Sequence, residues 1–179
     1  MASLPQEKEL LMIIDFEGFY CMSQFLIREV GYTLMHDNVS VSLHYKPSVP
    51  YNYLSGKEKY TVRYVQTHIH GLSYIPKKKY RYNWKKDFLE LYNRLRTKTC
   101  RYVAFKGGHV ERNFLNALNI PNINIELYGC PKFNEITKTE SYNIKSCGRH
   151  RDPDKHHCPK VETFYFKKWL KMHVFKKCK

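Results

Sequence analysis

The sequence has 179 residues, of which 42% are hydrophobic and 15% aromatic, so it can bury the core of one domain of ordinary size. No run of about 18 apolar residues occurs, so no membrane-spanning helix is expected. Lys and Arg number 31 against 16 Asp and Glu, which gives a formal net charge of +15. This excess favours a polyanionic partner, which we expect to be nucleic acid rather than an acidic membrane surface. The alternative is that the charge only keeps the protein soluble. We expect a single domain over residues 1–179.

The hydrophobic pattern predicts an α/β fold with a mixed sheet. Three antiparallel strands come first, and helices then alternate with short strands. The predicted strands are 10–16, 24–35, 39–46, 101–105 and 122–128; the predicted helices are 57–67, 85–97, 109–118 and 158–172; the segments 47–56 and 71–84 are predicted loops, and 129–157 is predicted to be irregular.

One predicted loop interleaves cations with aromatic rings. Cations can hold phosphates and rings can stack on bases with little need for sequence readout. This combination predicts a surface for single-stranded nucleic acid, RNA first and DNA as the alternative. The residues of this basic-aromatic run are Lys77, Lys78, Lys79, Tyr80, Arg81, Tyr82, Trp84, Lys85 and Lys86.

A pair of carboxylates follows the first apolar run. Asp15 and Glu17 are two residues apart at the expected end of a strand. The two-residue period of a strand would put both side chains on one face, about 7 Å apart along the strand. Such a pair can cradle two Mg²⁺ or Mn²⁺ ions, which activate water and stabilise a leaving oxygen in phosphodiester cleavage. An exposed acidic turn is the alternative interpretation.

Cysteine and histidine gather in the predicted irregular segment. Cys147, His150 and Cys158 have the types and the close spacing of zinc ligands, and a long irregular segment in a small domain needs something to order it. Cys130 would complete a Cys₃His site, His156 could replace His150, and unlinked loop residues are the alternative. Six cysteines without a secretory signal indicate a reducing compartment, so an intracellular location, cytoplasm or nucleus, is expected.

Several short motifs occur in a fixed order over residues 10–172. They are Asp-x-Glu at 15–17, Glu-Val-Gly at 29–31, a Pro-containing loop at 45–47, His-Gly-Leu-Ser at 70–73, Gly-His-Val-Glu-x-x-Phe-Leu at 108–115, and His157 followed five residues later by Glu162. The ordered set resembles the DEDDh family of 3′–5′ exonucleases, which have a ribonuclease H-like fold. The family carries Asp where this chain has Glu111 and Glu162.

The resemblance implies a ribonuclease H-like five-stranded sheet, with three antiparallel strands followed by two parallel ones, flanked by helices. It implies that Asp15, Glu17, Glu111 and Glu162 bind catalytic Mg²⁺ or Mn²⁺. His157 would be the general base on the attacking water, a task that suits a neutral imidazole. The two Glu side chains keep the charge but reach one methylene further, and a displacement of about 1 Å can cost on the order of 100-fold in rate.

The cysteine segment carries a second resemblance. Cys147, His150 and Cys158 match the Glu-Cys-His-Cys set of the Maelstrom domain, a DEDDh-like fold with Cys-x-x-His and a later Cys just before its last helix. This resemblance implies a structural zinc that stabilises the segment before the last helix, with Glu29 as the fourth ligand in place of Cys130. It also implies a part in small-RNA silencing of transposons. Many Maelstrom domains have lost the exonuclease carboxylates, whereas this chain keeps an acid at all four places.

Three functions follow as hypotheses. The first is a metal-dependent nuclease that hydrolyses single-stranded nucleic acid, RNA before DNA, by a two-metal mechanism with a histidine base. The second is an inactive nucleic-acid-binding module of a silencing or transposon-derived protein, in which the carboxylates are relics. The third is a protein-interaction domain whose positive charge meets an acidic partner.

Overall fold

The structure is a computed structural model that describes residues 3–152 and 156–176. Its centre is one five-stranded mixed sheet with the strand order β3-β2-β1-β4-β5. The β1–β2 and β2–β3 pairs are antiparallel, and the β1–β4 and β4–β5 pairs are parallel. The predicted fold class is therefore confirmed. The strands are β1 (Leu10–Cys21), β2 (Gln24–Leu34), β3 (Ser40–His44), β4 (Tyr102–Phe105) and β5 (Asn122–Asn124).

Helices cover both faces of this sheet. The second and third helices pack on one face around Phe88 and Leu115, and the fourth and fifth pack on the other around Ile136 and Phe166. The first helix buries Val62 against a smaller cluster at the far end of β1 and β2. The helices are α1 (Gly56–His68), α2 (Trp84–Leu95), α3 (His109–Ala117), α4 (Phe133–Thr139) and α5 (Pro159–His173).

Strand β1 positions the predicted carboxylates. Its first five residues are buried because β2 and β4 flank the strand and helices cover both of its faces. The strand continues to Cys21, with a shift in its register between Glu17 and Gly18. The expectation that Asp15 and Glu17 end a strand is therefore wrong. Both lie within β1, and Asp15 faces α5.

The first turn of α5 packs directly on β2. A Cβ atom on Gly31 would lie 2.4 Å from Cβ of Pro159 and 2.7 Å from the backbone nitrogen of Lys160. Any larger side chain would push the helix off the sheet, so glycine is required here for close approach. Pro159 occupies the first helical turn, where its missing N–H costs no hydrogen bond. This contact brings Cys158 and Glu162 down to the sheet.

Two sequence predictions differ from the structure. The predicted strand at 122–128 is only Asn122–Asn124, because the Asn124 side chain accepts a hydrogen bond from Glu126 and starts a 3₁₀ turn over Ile125–Tyr128. The predicted irregular segment 129–157 contains α4, whose single buried residue, Ile136, gives no helical period to read. Residues 153–155 of that segment lie outside the described residues. Within the described ranges, the helices lack the length and apolarity that a bilayer crossing requires.

Candidate active site and metal centre

Three carboxylates meet where α5 packs on β1. Asp15 and Glu17 come from β1 and Glu162 comes from the first turn of α5, and each offers an oxygen within 4.8 Å of the others'. We call these three residues the acid cluster. Oδ2 of Asp15 is buried and has no hydrogen-bond partner in the part of the chain that the structure describes. A buried oxygen without a donor, grouped with two further carboxylates, is an arrangement that suits an oxygen-binding divalent cation.

Burial and mutual repulsion disfavour the charged form of this cluster. Burial is the largest cause of the raised pKa of Asp15, and the charge of Glu162 is the next. Burial followed by the charge of Asp15 raises the pKa of Glu17, and burial raises the pKa of Glu162 to about 7. Without a cation the cluster therefore holds protons at neutral pH, and a bound Mg²⁺ or Mn²⁺ would reverse this preference. The three residues fit such an ion in both chemistry and charge.

His157 lies at the edge of the acid cluster. Its Nδ1 is 3.0 Å from Oε1 of Glu162, and its ring meets the ring of Phe133 edge to face at 4.7 Å. Burial, and then the charge of His150, lower the pKa of His157. The imidazole is therefore neutral near pH 7, and the contact with Glu162 fixes its orientation. The spacing of five residues noted in the sequence places His157 and Glu162 side by side.

A cavity of about 350 Å³ opens over these groups. Asp15, Glu162 and His157 line it together with Lys106 and Lys132. Sequence reasoning missed both lysines. Lys106 directly follows β4, so its place at this edge of the sheet was readable, whereas Lys132 precedes α4, a helix that the sequence did not predict. Two cations therefore line the same cavity as Asp15 and Glu162.

Glu111 lies beside the acid cluster but does not join it. It comes from the first turn of α3, and its Oε1 accepts a hydrogen bond of 3.0 Å from the backbone N–H of Phe16 in β1. Its charge still contributes to the raised pKa of Asp15. The structure thus brings all four predicted acids to one region and gives the fourth a backbone contact that the motif did not indicate.

A second group of potential ligands lies where the segment before α5 meets the neighbouring strand β2. Atoms of Glu29, Cys147, His150 and Cys158 lie within 4.8 Å of one another, and we call these four residues the Cys/His cluster. Gly148 adopts a φ of +77°, which suits glycine and closes the tight Cys-x-x-His turn. The two cysteines and the histidine are the ones that the sequence predicted, and Glu29 is the fourth residue that the resemblance implied.

The polar contacts around this cluster orient its atoms inward. The ring nitrogen Nδ1 of His150 hydrogen bonds to the carbonyl oxygen of His70, and Ser42 donates to Oε2 of Glu29. The inner atoms, Nε2 of His150 and Oε1 of Glu29, are fully buried and lie 2.8 Å apart, in contact with each other. Outer hydrogen bonds that fix the ligand atoms of a metal site are arranged in this way.

The thiols supply the remaining chemistry of a zinc site. A hydrogen bond from Cys147 is the main reason that the pKa of Cys158 is lowered to about 3, and that same contact raises the pKa of Cys147. One thiolate is therefore stabilised before any ion binds. Two sulfurs, one imidazole nitrogen and one carboxylate oxygen match the four tetrahedral ligands that Zn²⁺ takes in structural sites.

Two alternative ligands lie elsewhere. Cys130 is buried in the apolar cluster under α4, with its Sγ 3.6 Å from the carbonyl oxygen of Pro131, so it does not join the Cys/His cluster. Both ring nitrogens of His156 are occupied, Nε2 by the Thr67 carbonyl at 3.0 Å and Nδ1 by the backbone N–H of Asp152 at 3.1 Å. His156 therefore does not replace His150.

The residues of the basic-aromatic run lie in three different environments. Lys77, Lys78 and Tyr80 line a cavity near the Cys/His cluster, and Lys79, Lys85 and Lys86 are exposed. Arg81 is paired with Asp87 at 3.1 Å, and Lys46 lies over the Tyr82 ring. Trp84 packs edge to face on Phe16 at 5.2 Å, so its ring is half buried and serves the core as well as the surface.

The fold and site define a ribonuclease H-like α/β protein with two neighbouring clusters of candidate metal ligands. No protein-family model and no curated protein matches the sequence. Among solved structures, the chain is similar to an exonuclease domain of Mopeia virus, in a form described as fully depleted of manganese. The TM-score is 0.52 and the identity 13%, over 89% of this chain and 75% of that one. At this identity the similarity supports the fold.

Proposed function

We propose that this protein is a metal-dependent nuclease that hydrolyses phosphodiester bonds of single-stranded nucleic acid, RNA before DNA, as a 3′–5′ exonuclease. The observation that carries the proposal is the acid cluster with the unpartnered Oδ2 of Asp15, next to an imidazole held by Glu162. Asp15, Glu162 and His157 border the cavity, where a substrate can reach them. A buried cluster of like charges is costly to a fold unless a ligand compensates it.

The chain's own residues divide the work of hydrolysis. His157 presents a neutral imidazole, oriented by Glu162, to accept the proton of the attacking water. Lys106 and Lys132 hold the oxygens of the phosphate that is attacked. Asp15, Glu17 and Glu162, with Glu111 behind them, would hold Mg²⁺ or Mn²⁺, which supplies an acidified water and neutralises the leaving oxygen. The basic-aromatic run holds the strand that leads to the cavity.

The Cys/His cluster has a structural role in this proposal. Zn²⁺ held by Glu29, Cys147, His150 and Cys158 would fix the start of α5. Because His157 and Cys158 are consecutive, that ion also fixes the position of the base. We place this activity inside the cell, in the cytoplasm or nucleus, where thiols stay reduced and available to zinc, and we treat residues 1–179 as one domain.

A cleavage assay tests the proposal. A 5′-labelled single-stranded RNA and its DNA counterpart are incubated with the protein and Mg²⁺ or Mn²⁺. We expect a ladder that shortens from the 3′ end, and we expect Asp15→Asn to abolish it. His157→Ala should lower the rate by roughly 10²–10⁴-fold, the usual contribution of a general base. Glu90→Gln, an exposed carboxylate on α2, is the matched control and should keep the full rate. An intact substrate with every protein would overturn the proposal.

A second function is favoured by the position of Glu111. Its carboxylate bonds to the backbone of Phe16 and lies outside the acid cluster, so one of the four expected metal ligands has a structural contact. That arrangement fits an inactive nucleic-acid-binding module of a small-RNA silencing or transposon-derived protein, of the Maelstrom kind. Binding of the labelled strands without any cleavage is the result that would select it.

A further inference from the structure

Arg28 is a buried cation that makes no direct ion pair with a described residue. Burial lowers its pKa, and the charges of Tyr80 and of Glu29, which belongs to the Cys/His cluster, only partly offset this. It is the residue of β2 that the register shift leaves unpaired, between Ile27 and Glu29, and only 4% of it is exposed. Its Nε and Nη1 donate to the carbonyl oxygens of Ser73 at 2.6 Å and Tyr45 at 2.8 Å, and both acceptors are neutral. None of the ion pairs formed by described residues involves it. A buried charge of this kind calls for a counter-charge from a ligand.

Arg28 borders a cavity of about 570 Å³, which lies within the range of small-molecule sites. Four more cations line it, Lys77 and Lys78 from the basic-aromatic run and Arg149 and Arg151 from the segment of the Cys/His cluster. No acidic side chain is among the described residues of its wall. Five positive charges facing one space repel each other, and a ligand with several negative charges removes that repulsion.

The rest of the wall suits a nucleotide better than a bare anion. The Tyr80 ring stands in the cavity, with the Arg28 guanidinium 5.6 Å from its centroid. An aromatic face beside guanidinium groups can stack a base while the cations hold its phosphates. Gln66 and Ser73 add polar side chains for a sugar or a base edge. The cavity shares no lining residue with the one over the acid cluster.

We propose that this cavity is a second nucleotide-binding site, which takes two or more consecutive phosphates of a nucleic-acid strand or of a free nucleotide. The site is separate from the acid cluster, and it rests on nucleic acid as the partner but not on hydrolysis. Guanidinium groups bind phosphate oxygens in pairs, which explains arginine at three of the five cationic positions.

The Cys/His cluster positions two of the arginines that line this site. Arg149 lies between two of the cluster's residues, Cys147 and His150, and Arg151 follows directly. The backbone N–H of Arg151 donates to the carbonyl oxygen of Gly71 at 3.0 Å, beside the contact of His150 with the carbonyl of His70. A zinc ion that closes the cluster therefore holds the two arginines against the α1 side of the cavity, and its removal releases them.

Binding is measured with a fluorescein-labelled single-stranded RNA and no added divalent metal. The background is Asp15→Asn, so cleavage cannot interfere and a failure of the nuclease proposal leaves this test intact. We expect Arg149→Ala with Arg151→Ala to weaken binding tenfold or more and to reduce the slope of log K against log salt by about 1.4, for two lost phosphate contacts. Lys8→Ala with Lys98→Ala removes the same charge from exposed positions outside the wall and outside the basic-aromatic run, and is the control. Equal losses in the two double variants would overturn the site.

Two further measurements complete the test. The first is competition with unlabelled ATP. If ATP displaces the RNA from the parent protein but not from the Arg149/Arg151 variant, the cavity binds free nucleotides as well. If the RNA binds in the cavity and ATP does not displace it, the cavity binds the phosphates of a strand. Cys147→Ser, with its zinc content and circular dichroism recorded, should bind RNA as weakly as the double arginine variant. A folded, zinc-free Cys147→Ser protein with full affinity would contradict the dependence on the cluster.

Discussion

Glu17 and Glu29 are directly paired across strands β1 and β2, and their side chains belong to different clusters. Glu17 is part of the acid cluster and Glu29 is part of the Cys/His cluster. The charge of Glu29 is one of the causes that raise the pKa of both Asp15 and Glu17. A cation bound in the Cys/His cluster offsets that charge, so the two clusters are coupled through one cross-strand pair as well as through the adjacent residues His157 and Cys158.

Loss of zinc is therefore expected to weaken the binding of Mn²⁺ by the acid cluster. Cys147→Ser should lower the zinc content from one ion per chain towards none and raise the Mn²⁺ concentration needed for half-maximal cleavage, since Cys158 is no longer held in the cluster and the first turn of α5, which carries Glu162, loses its fixed position. Elemental analysis and a Mn²⁺ titration of cleavage measure the two effects. Cys130→Ala is the matched control, because Cys130 lies in the core under α4 and should leave both quantities unchanged. Zinc lost from the Cys130 variant and retained in the Cys147 variant would reverse the ligand assignment.

The antiparallel pairing of β2 with β3 was predictable because it follows from local sequence. The alternation of residues 39–46 and the turn before them indicate this hairpin, and the helical spacing of Phe88 and Tyr92 indicates a helix that covers one face. Helix α4 was not predictable, since it is short and only Ile136 is buried. With α4 missing from the prediction, the place of Lys132 beside the acid cluster could not be foreseen.

The candidate site was predictable to the level of residue types and not to the level of contacts. The spacing of Asp15 and Glu17 gave their common face, and that of His157 and Glu162 gave their contact. The choice of Glu29 over Cys130 depends on how closely α5 approaches β2, which is a long-range packing distance. The hydrogen bond from Phe16 to Glu111 depends in the same way on where α3 docks.

Gly31 controls that packing distance and with it both clusters. We expect Gly31→Ala to lower the free energy of unfolding by about 1–3 kcal/mol, the usual cost of overpacking, because the new Cβ would meet Pro159 at 2.4 Å. Zinc content should fall as Cys158 moves away from Glu29. Gly56→Ala is the control, since a Cβ there has no neighbour within 4 Å and alanine favours a helix. Urea unfolding and elemental analysis measure both effects; equal behaviour of the two variants would contradict the role of Gly31.

Glu111 offers a way to separate its charge from its hydrogen bond. Glu111→Gln keeps an oxygen that can accept from the Phe16 N–H, so the stability should change little, while Mn²⁺-dependent cleavage should fall because a negative charge beside Asp15 is lost. Glu111→Ala leaves the buried N–H of Phe16 unpaired, so it should also lower the free energy of unfolding by about 1–3 kcal/mol. Thermal unfolding and the cleavage rate distinguish the two. Full activity in the glutamine variant would show that Glu111 acts only on the backbone.

The pH dependence of stability follows from the acid cluster. The pKa of Glu162 is about 7 in the folded protein, against an ordinary 4.5, so between these values the folded state binds more protons than the unfolded state. The free energy of unfolding of the metal-free protein should therefore fall as the pH rises through this window. A divalent cation binds the deprotonated form, so Mn²⁺ should raise the Tm more at about pH 7.5 than at about pH 5.5.

Glu162→Gln tests the assignment of this effect. The substitution removes the titrating group, so the decline of the metal-free Tm with pH should become shallower and the Mn²⁺-induced rise should shrink at the higher pH. Glu90→Gln, exposed on α2, should reproduce the parent curves. Calorimetry measures the Tm of each variant and of the parent protein between about pH 4.5 and pH 7.5, with and without Mn²⁺. A metal-free Tm that increases with pH in the parent protein, or a Mn²⁺ shift that is the same at both ends, would show that Glu162 and its neighbours do not share protons in the folded state.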